Sequence, residues 1–195
     1  MDIKKAGIDY HAFMRSFTDQ VQNANLNDES ELKHYENRKL NLHRVQKWNK
    51  IFVPSQKLID IVSSISSTQT WMFVTESWCG DSAQSLPIIA KAAALNDKIN
   101  LQIVLRDENL EIMDRYLTNG SRSIPKLVVF DSDNNELFQW GPRPALAKNL
   151  FTKLKNDGAE KAEINREIHL WYAKDRGKEI DNELTNLLRC GTSFL

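Results

Sequence analysis

The order of short apolar and amphipathic runs between residues 69 and 155 constrains this chain more than any other feature. "TWMFVT" (70–75) has the length and the aromatic, β-branched content of a buried strand. A helical segment follows, from about Asp81 to Leu95. "INLQIVLR" is a second strand, and "NLEIMDRYLTNG" reads as a helix stopped by Gly120. After Pro125 come "KLVVFD", the polar turn "SDNN" and "ELFQW", the pattern of a β-hairpin. "GPRPALAKNLFTKLK" then begins with Gly and Pro punctuation and continues as a helix. A strand–helix–strand unit makes the first two strands parallel, with a right-handed crossover. The hairpin adds two antiparallel strands. The predicted class is α/β, a four-stranded mixed sheet with helices on both faces.

This core, 69–155, is expected to carry helical extensions over 1–68 and 156–195, within one compact domain. A chain of 195 residues is long enough to bury such a core. In the N-terminal extension Asp28 and Glu31 stand at capping-box spacing. Leu32, Tyr35, Leu42, Val45 and Trp48 follow at mostly helical intervals, Pro54 breaks the pattern, and Lys57 to Ile65 read as a short helix. The basic residues Arg38, Lys39, Arg44 and Lys47 read as a solvated helix face. In the C-terminal extension Ile164, Ile168, Trp171 and Tyr172 form one apolar stripe, and Ile180, Leu184 and Leu187 another. A break is expected near Gly177, and both stripes read as core packing.

Composition narrows the function classes. The 26 basic and 26 acidic residues give zero formal net charge, so bulk attraction to nucleic acid or an anionic membrane has no support. Two cysteines make no secreted-type disulfide framework, and four scattered His offer no zinc spacing. No metal or cofactor is expected. The N-terminus lacks an apolar segment of signal-peptide length, and no apolar run is long enough to span a bilayer. The expectation is a cytoplasmic protein with reduced thiols.

The chemistry-bearing stretch is "ESWCGDSAQSLP" (76–87). Cys79 falls between the carboxyl end of a strand and the start of a helix, where backbone N–H groups and the helix dipole favour a thiolate. Trp78 can shield one side of the sulfur. Asp81 and Glu76 oppose the thiolate as like charges. The topology offers an offset, because the second, third and fourth strands deliver Arg106, Arg122 and Arg143 to the Cys79 edge of the sheet. These arginines read either as a pocket for an anionic thiol or as a structural network with Asp107, Glu108 and other carboxylates.

"WCGDS" resembles the Trp-Cys-Gly-Pro-Cys signature of the thioredoxin superfamily, with Cys79 at the attacking position. Pro87 stands where thioredoxins kink the active-site helix. "SIPKLVVF" is similar to the segment carrying the family's cis-proline, here Ile124–Pro125, 46 residues after Cys79. "WGPRPA" falls where thioredoxins place a glycine near the active site. More narrowly, "TESWCGDSAQSLP", "LRDENLEIMDRYLTNGSRSIPK" and "WGPRPA" resemble a bacterial, Bacteroidetes-type thioredoxin-like family, over roughly residues 35 to 190. The resemblance implies Cys79 as nucleophile, Ser82 as hydrogen-bond donor to its thiolate and Pro125 as substrate platform. Trp78, Gly80, Asp81 and Ile124 would border the substrate. Ser82 replaces the resolving cysteine and Asp81 the proline, so no internal disulfide can form within the motif.

The expected function is a monothiol thiol–disulfide oxidoreductase in cell redox homeostasis. Its partner would be a protein disulfide or thiol, or a low-molecular-weight thiol. The alternative is a non-catalytic binding module on the same fold. A glutathione- or iron–sulfur-binding monothiol glutaredoxin-like protein shares the Cys-x-x-Ser spacing, but no counterpart of its glycine-pair glutathione site is evident. Cys190 would resolve an adduct on Cys79 only if the tail folded back; its default reading is an incidental residue at the end of the last helix.

Overall fold

The computed structural model describes residues 6–192, apart from the side chains at 30, 31, 33, 191 and 192. Strands β1 (Gln69–Thr75), β2 (Ile99–Leu105), β3 (Lys126–Phe130) and β4 (Glu136–Trp140) form one sheet in the order β2–β1–β3–β4. β1 pairs parallel with β2 and antiparallel with β3, and β4 pairs antiparallel with β3. This is the mixed sheet that the sequence predicts. β1 is central and buried along its whole length. Successive strand side chains point to opposite faces, so Trp71 and Phe73 enter one apolar cluster while Met72 and Val74 enter another.

The first face carries most of the helical mass. α1 (Tyr10–Gln22), α2 (Glu29–Ile51) and α3 (Gln56–Ser63) form the N-terminal extension. α4 (Gly80–Ala93) follows β1 and runs through Pro87. α2 buries Leu42, Val45 and Trp48, and its expected apolar residue Leu32 is instead exposed. α2 begins one residue after Asp28; the Glu31 half of the expected capping box lies outside the described side chains. After β4 come α6 (Ala145–Asn156), α7 (Lys161–Asp175) and α8 (Lys178–Thr192). Arg176 and Gly177, both left-handed (φ 60° and 81°), make the expected break between α7 and α8. A Cβ on Gly177 would sit 2.6 Å from Ile88 Cδ1, so glycine lets this turn pack on α4. Asp181 of α8 accepts from the backbone N–H and the hydroxyl of Ser55, at 2.8 and 2.5 Å, at the start of α3. The two extensions thus close on each other over the sheet.

The second face differs from expectation. The helix predicted over 109–120 is one turn only, α5 (Leu110–Met113). Asn119 and Gly120 both have positive φ (50° and 75°) in a two-residue turn that bridges Thr118 and Ser121. Asn-Gly is the pair best suited to such a turn, because both central residues must enter the left-handed region. Gly120 therefore closes a hairpin-like turn instead of stopping a helix. A short helix and irregular chain cover Met72 and Val74 as a result. No described helix is long and apolar enough to cross a membrane.

Candidate thiol site

Cys79 is the N-cap of α4, with extended backbone (φ −79°, ψ 115°). Its carbonyl already accepts from Ala83 N, and its own N–H donates to Glu76 O, so the loop 76–79 is a tight turn from β1 into α4. The Ile124–Pro125 bond is cis, as the sequence predicts, and Gly141–Pro142 is a second cis bond that it does not. Cys79 Sγ lies 3.5 Å from Ile124 O, in donor geometry for an S–H···O contact. The sulfur thus faces the proline loop across the sheet edge. Gly141 supports that loop from behind. Its φ is 110°, and a Cβ there would meet Pro125 O at 2.4 Å, so only glycine fits.

The electrostatics reverse the simple helix-dipole expectation. Burial pushes the Cys79 thiol up to about 11, and the Asp81 charge adds to the rise; the hydroxyl and N–H of Ser82 and the N–H of Asp81 pull it down. Only 8% of Cys79 is exposed, so desolvation outweighs the dipole. The contact to Ile124 O also exists only while sulfur holds its proton. At neutral pH the resting site is a thiol. Ser82 is buried, and its hydroxyl has no hydrogen-bond partner among the described residues.

Of the three arginines expected near the sulfur, one reaches the motif's carboxylate. Arg143 Nη2 lies 2.6 Å from Asp81 Oδ2 and its Nε donates to Oδ1 at 3.0 Å, a fork–fork pair. Tyr172 OH donates to the same Oδ1 at 3.0 Å. Burial pushes the Asp81 carboxyl up while Arg143 and Tyr172 draw it back down. Arg106 stacks on the Trp78 ring at 4.8 Å and pairs with Asp107 at 2.6 Å. Arg122 does not join the site: its guanidinium is exposed and held by Asp114 at 2.6 Å. The structural-network reading of the arginines fits Arg122 and Asp114, and Arg143 acts on Asp81 instead of on sulfur. Cys190 is exposed on α8, and no contact joins it to Cys79.

The extensions supply residues that sequence reasoning left out. α2 clamps the cysteine loop: Arg38 Nε donates to Ser77 Oγ (3.3 Å) and Asn41 Nδ2 to Ser77 O (3.2 Å). Ser77 Oγ in turn donates to Gln20 Oε1 at 2.7 Å. Arg38 and Arg44 are therefore not a purely solvated face; Arg44 lies over Gly80, 3.5 Å from where a Cβ would be. His169 of α7 closes on the same glycine, with Cε1 2.9 Å from that position. Trp48 Nε1 donates to Gln84 Oε1 (2.6 Å), which turns the Gln84 amide nitrogen toward His169 Nδ1 (3.2 Å). Nδ1 is then the acceptor and neutral His169 carries its proton on Nε2. Burial, with Arg44 and Arg143 nearby, holds His169 down at about 4. His34 stacks on Trp78 with ring centroids 5.2 Å apart. Tyr172 sits on the stripe read as core packing and His169 directly follows its Ile168; only their polar atoms, which periodicity ignores, mark them out.

A sheet of this order with a cysteine at the first crossover helix facing a cis-proline loop defines a thioredoxin-fold protein. The thioredoxin family model matches residues 25–155, and the chain belongs to that family. Among solved structures it is similar to a protein of unknown function from Pseudomonas aeruginosa, at 18% identity and TM-score 0.63, over 96% of this chain and 95% of the other. It is also similar to an HIV epitope scaffold, at 17% identity and TM-score 0.61, over 96% and 94%. At these identities the likeness is one of fold. No curated protein matches the sequence.

Proposed function

We propose that the protein is a monothiol thiol–disulfide oxidoreductase acting through Cys79 on a protein disulfide or a low-molecular-weight disulfide in a reducing cytoplasm. The observation that carries the reading is Cys79 Sγ at 3.5 Å from the carbonyl beside cis-Pro125, with the unpartnered Ser82 hydroxyl in the same motif. In the reaction, Cys79 loses its proton and the thiolate attacks one sulfur of the partner disulfide. The partner S–S bond breaks, a Cys79–S–S–partner bond forms, and the second partner sulfur leaves as a thiolate. A separate thiol then attacks the mixed disulfide and returns Cys79 to the thiol. Ser82 donates to sulfur when it is anionic, and Pro125 and Ile124 present the platform against which the partner lies.

The binding-module reading draws on the raised thiol and its 8% exposure, both of which slow exchange. The test is intact-mass analysis after incubation with oxidised small disulfides at pH 8 to 9, followed by peptide mapping. One adduct on Cys79, absent from Cys79→Ser, supports the oxidoreductase. Adducts confined to Cys190 support the binding module.

A further inference from the structure

A cleft of about 480 Å³ opens on the far side of the proline loop, between the end of β4, the start of α6 and α8. Lys126, Arg143 and Lys148 give it three cations, and Glu183 is its one acid. Glu183 is already committed: Oε2 accepts from Trp140 Nε1 and Oε1 from Ala145 N, each at 2.6 Å. Two nitrogens of Arg143 are committed to Asp81. Lys126 is different. It is only 6% exposed, directly follows Pro125, and its ammonium makes no hydrogen bond or ion pair among the described residues. Glu136 attracts it only at longer range, Lys148 repels it, and burial pushes its pKa down. Its stem is buried while its ammonium reaches the surface, and the cleft has room for an anion beside it.

From this geometry we infer that the β4–α6–α8 cleft is a binding site for a small organic carboxylate. Lys126 and Lys148 take the carboxylate, and Trp140 and Leu187 give the apolar wall for the rest of the molecule. The volume matches that of ordinary small-ligand sites, about 300–1,000 Å³. Lysines supply point charges here, without a second guanidinium fork, which suits one carboxylate set against an apolar body better than a fully hydrated oxyanion. The cleft shares Arg143 with the Asp81 pair, but the carboxylate site needs no reaction at Cys79 and stands whether or not that thiol turns over.

The test is titration of the full chain with benzoate, and separately with inorganic phosphate, at constant ionic strength. Backbone amide resonances are followed by NMR. Benzoate should produce saturable shifts at Gln139, Gly141, Lys148 and Asn186, and Lys126→Met should weaken binding at least about tenfold. Lys148→Gln, at an exposed position, gives a second variant that keeps the fold and should weaken binding several-fold. Absence of saturation up to tens of millimolar would overturn the proposal, as would affinity unchanged from that of the unsubstituted protein in both variants. Phosphate binding as tightly as benzoate would overturn the organic part of the assignment.

Discussion

The most exposed consequence of the site is the pH dependence of Cys79, measured in a Cys190→Ser background so that one thiol reports. With the thiol at about 11, its thiolate fraction at pH 7 is ~10⁻⁴, against ~3% for an ordinary thiol near 8.5. That deficit is about 300-fold. A more basic thiolate is also a better nucleophile, and a Brønsted slope of about 0.45 returns roughly tenfold, leaving exchange ~20–30-fold slow. Removing the Asp81 charge removes the second cause of the rise, after burial. Asp81→Asn should lower the thiol pKa by about one unit, the lower end for a nearby charge, and the net gain at pH 7 is about threefold. The assay is stopped-flow or quenched exchange with a small disulfide from pH 7 to 10. The wild-type logarithmic rate should rise with unit slope and no plateau, and the Asp81→Asn curve should lie above it. A plateau below pH 9, or a slower Asp81→Asn, would refute the desolvation argument.

Two further outcomes concern stability. Gly141→Ala combines a φ of 110° with a 2.4 Å contact to Pro125 O, and should cost at least about 2 kcal/mol in urea unfolding; an unchanged midpoint would contradict the close approach. His169 is neutral in the folded protein because its value falls to about 4, while the unfolded chain protonates near 6.5. Its contribution is therefore present above pH 6.5 and lost as pH falls toward 4, on the order of 2 kcal/mol after discounting partial exposure. His169→Gln should flatten the stability profile over that window, and an identical slope in both proteins would show that His169 is not the titrating group.

The sheet order and the Cys79–Pro125 apposition were legible because both follow from local pattern plus handedness. β1 is a continuous apolar run, and a right-handed crossover leaves one arrangement for β2. The segment 109–120 misled because Leu110, Ile112, Met113 and Tyr116 satisfy helical spacing, while the Asn119–Gly120 turn that ends it obeys a different, two-residue rule. At the site, Arg143 was placed on the correct edge by topology, but topology cannot tell that its fork takes Asp81 and that Arg122 turns to Asp114. The clamp from Arg38 and Asn41, and the Trp48–Gln84–His169 relay, join elements dozens of residues apart. Each member has an ordinary amphipathic-helix reading, so nothing local distinguishes it. The thiol's upward displacement was also out of reach, since Cys79 is buried among Val74, Tyr116 and Ile124, which only the tertiary fold brings together.

The central claim is that Cys79 works as a lone thiol whose partner must be released from outside. Adduct lifetime by intact mass, compared between the Cys190→Ser protein and its Ser82→Cys derivative, tests it most directly. The introduced thiol sits in the same motif at high effective concentration, so it should attack the mixed disulfide intramolecularly and expel the partner. The account predicts a persistent Cys79 adduct in the first protein and its rapid loss, with formation of an internal Cys79–residue 82 disulfide, in the second. Equal lifetimes, or no adduct on Cys79 in either, would contradict it.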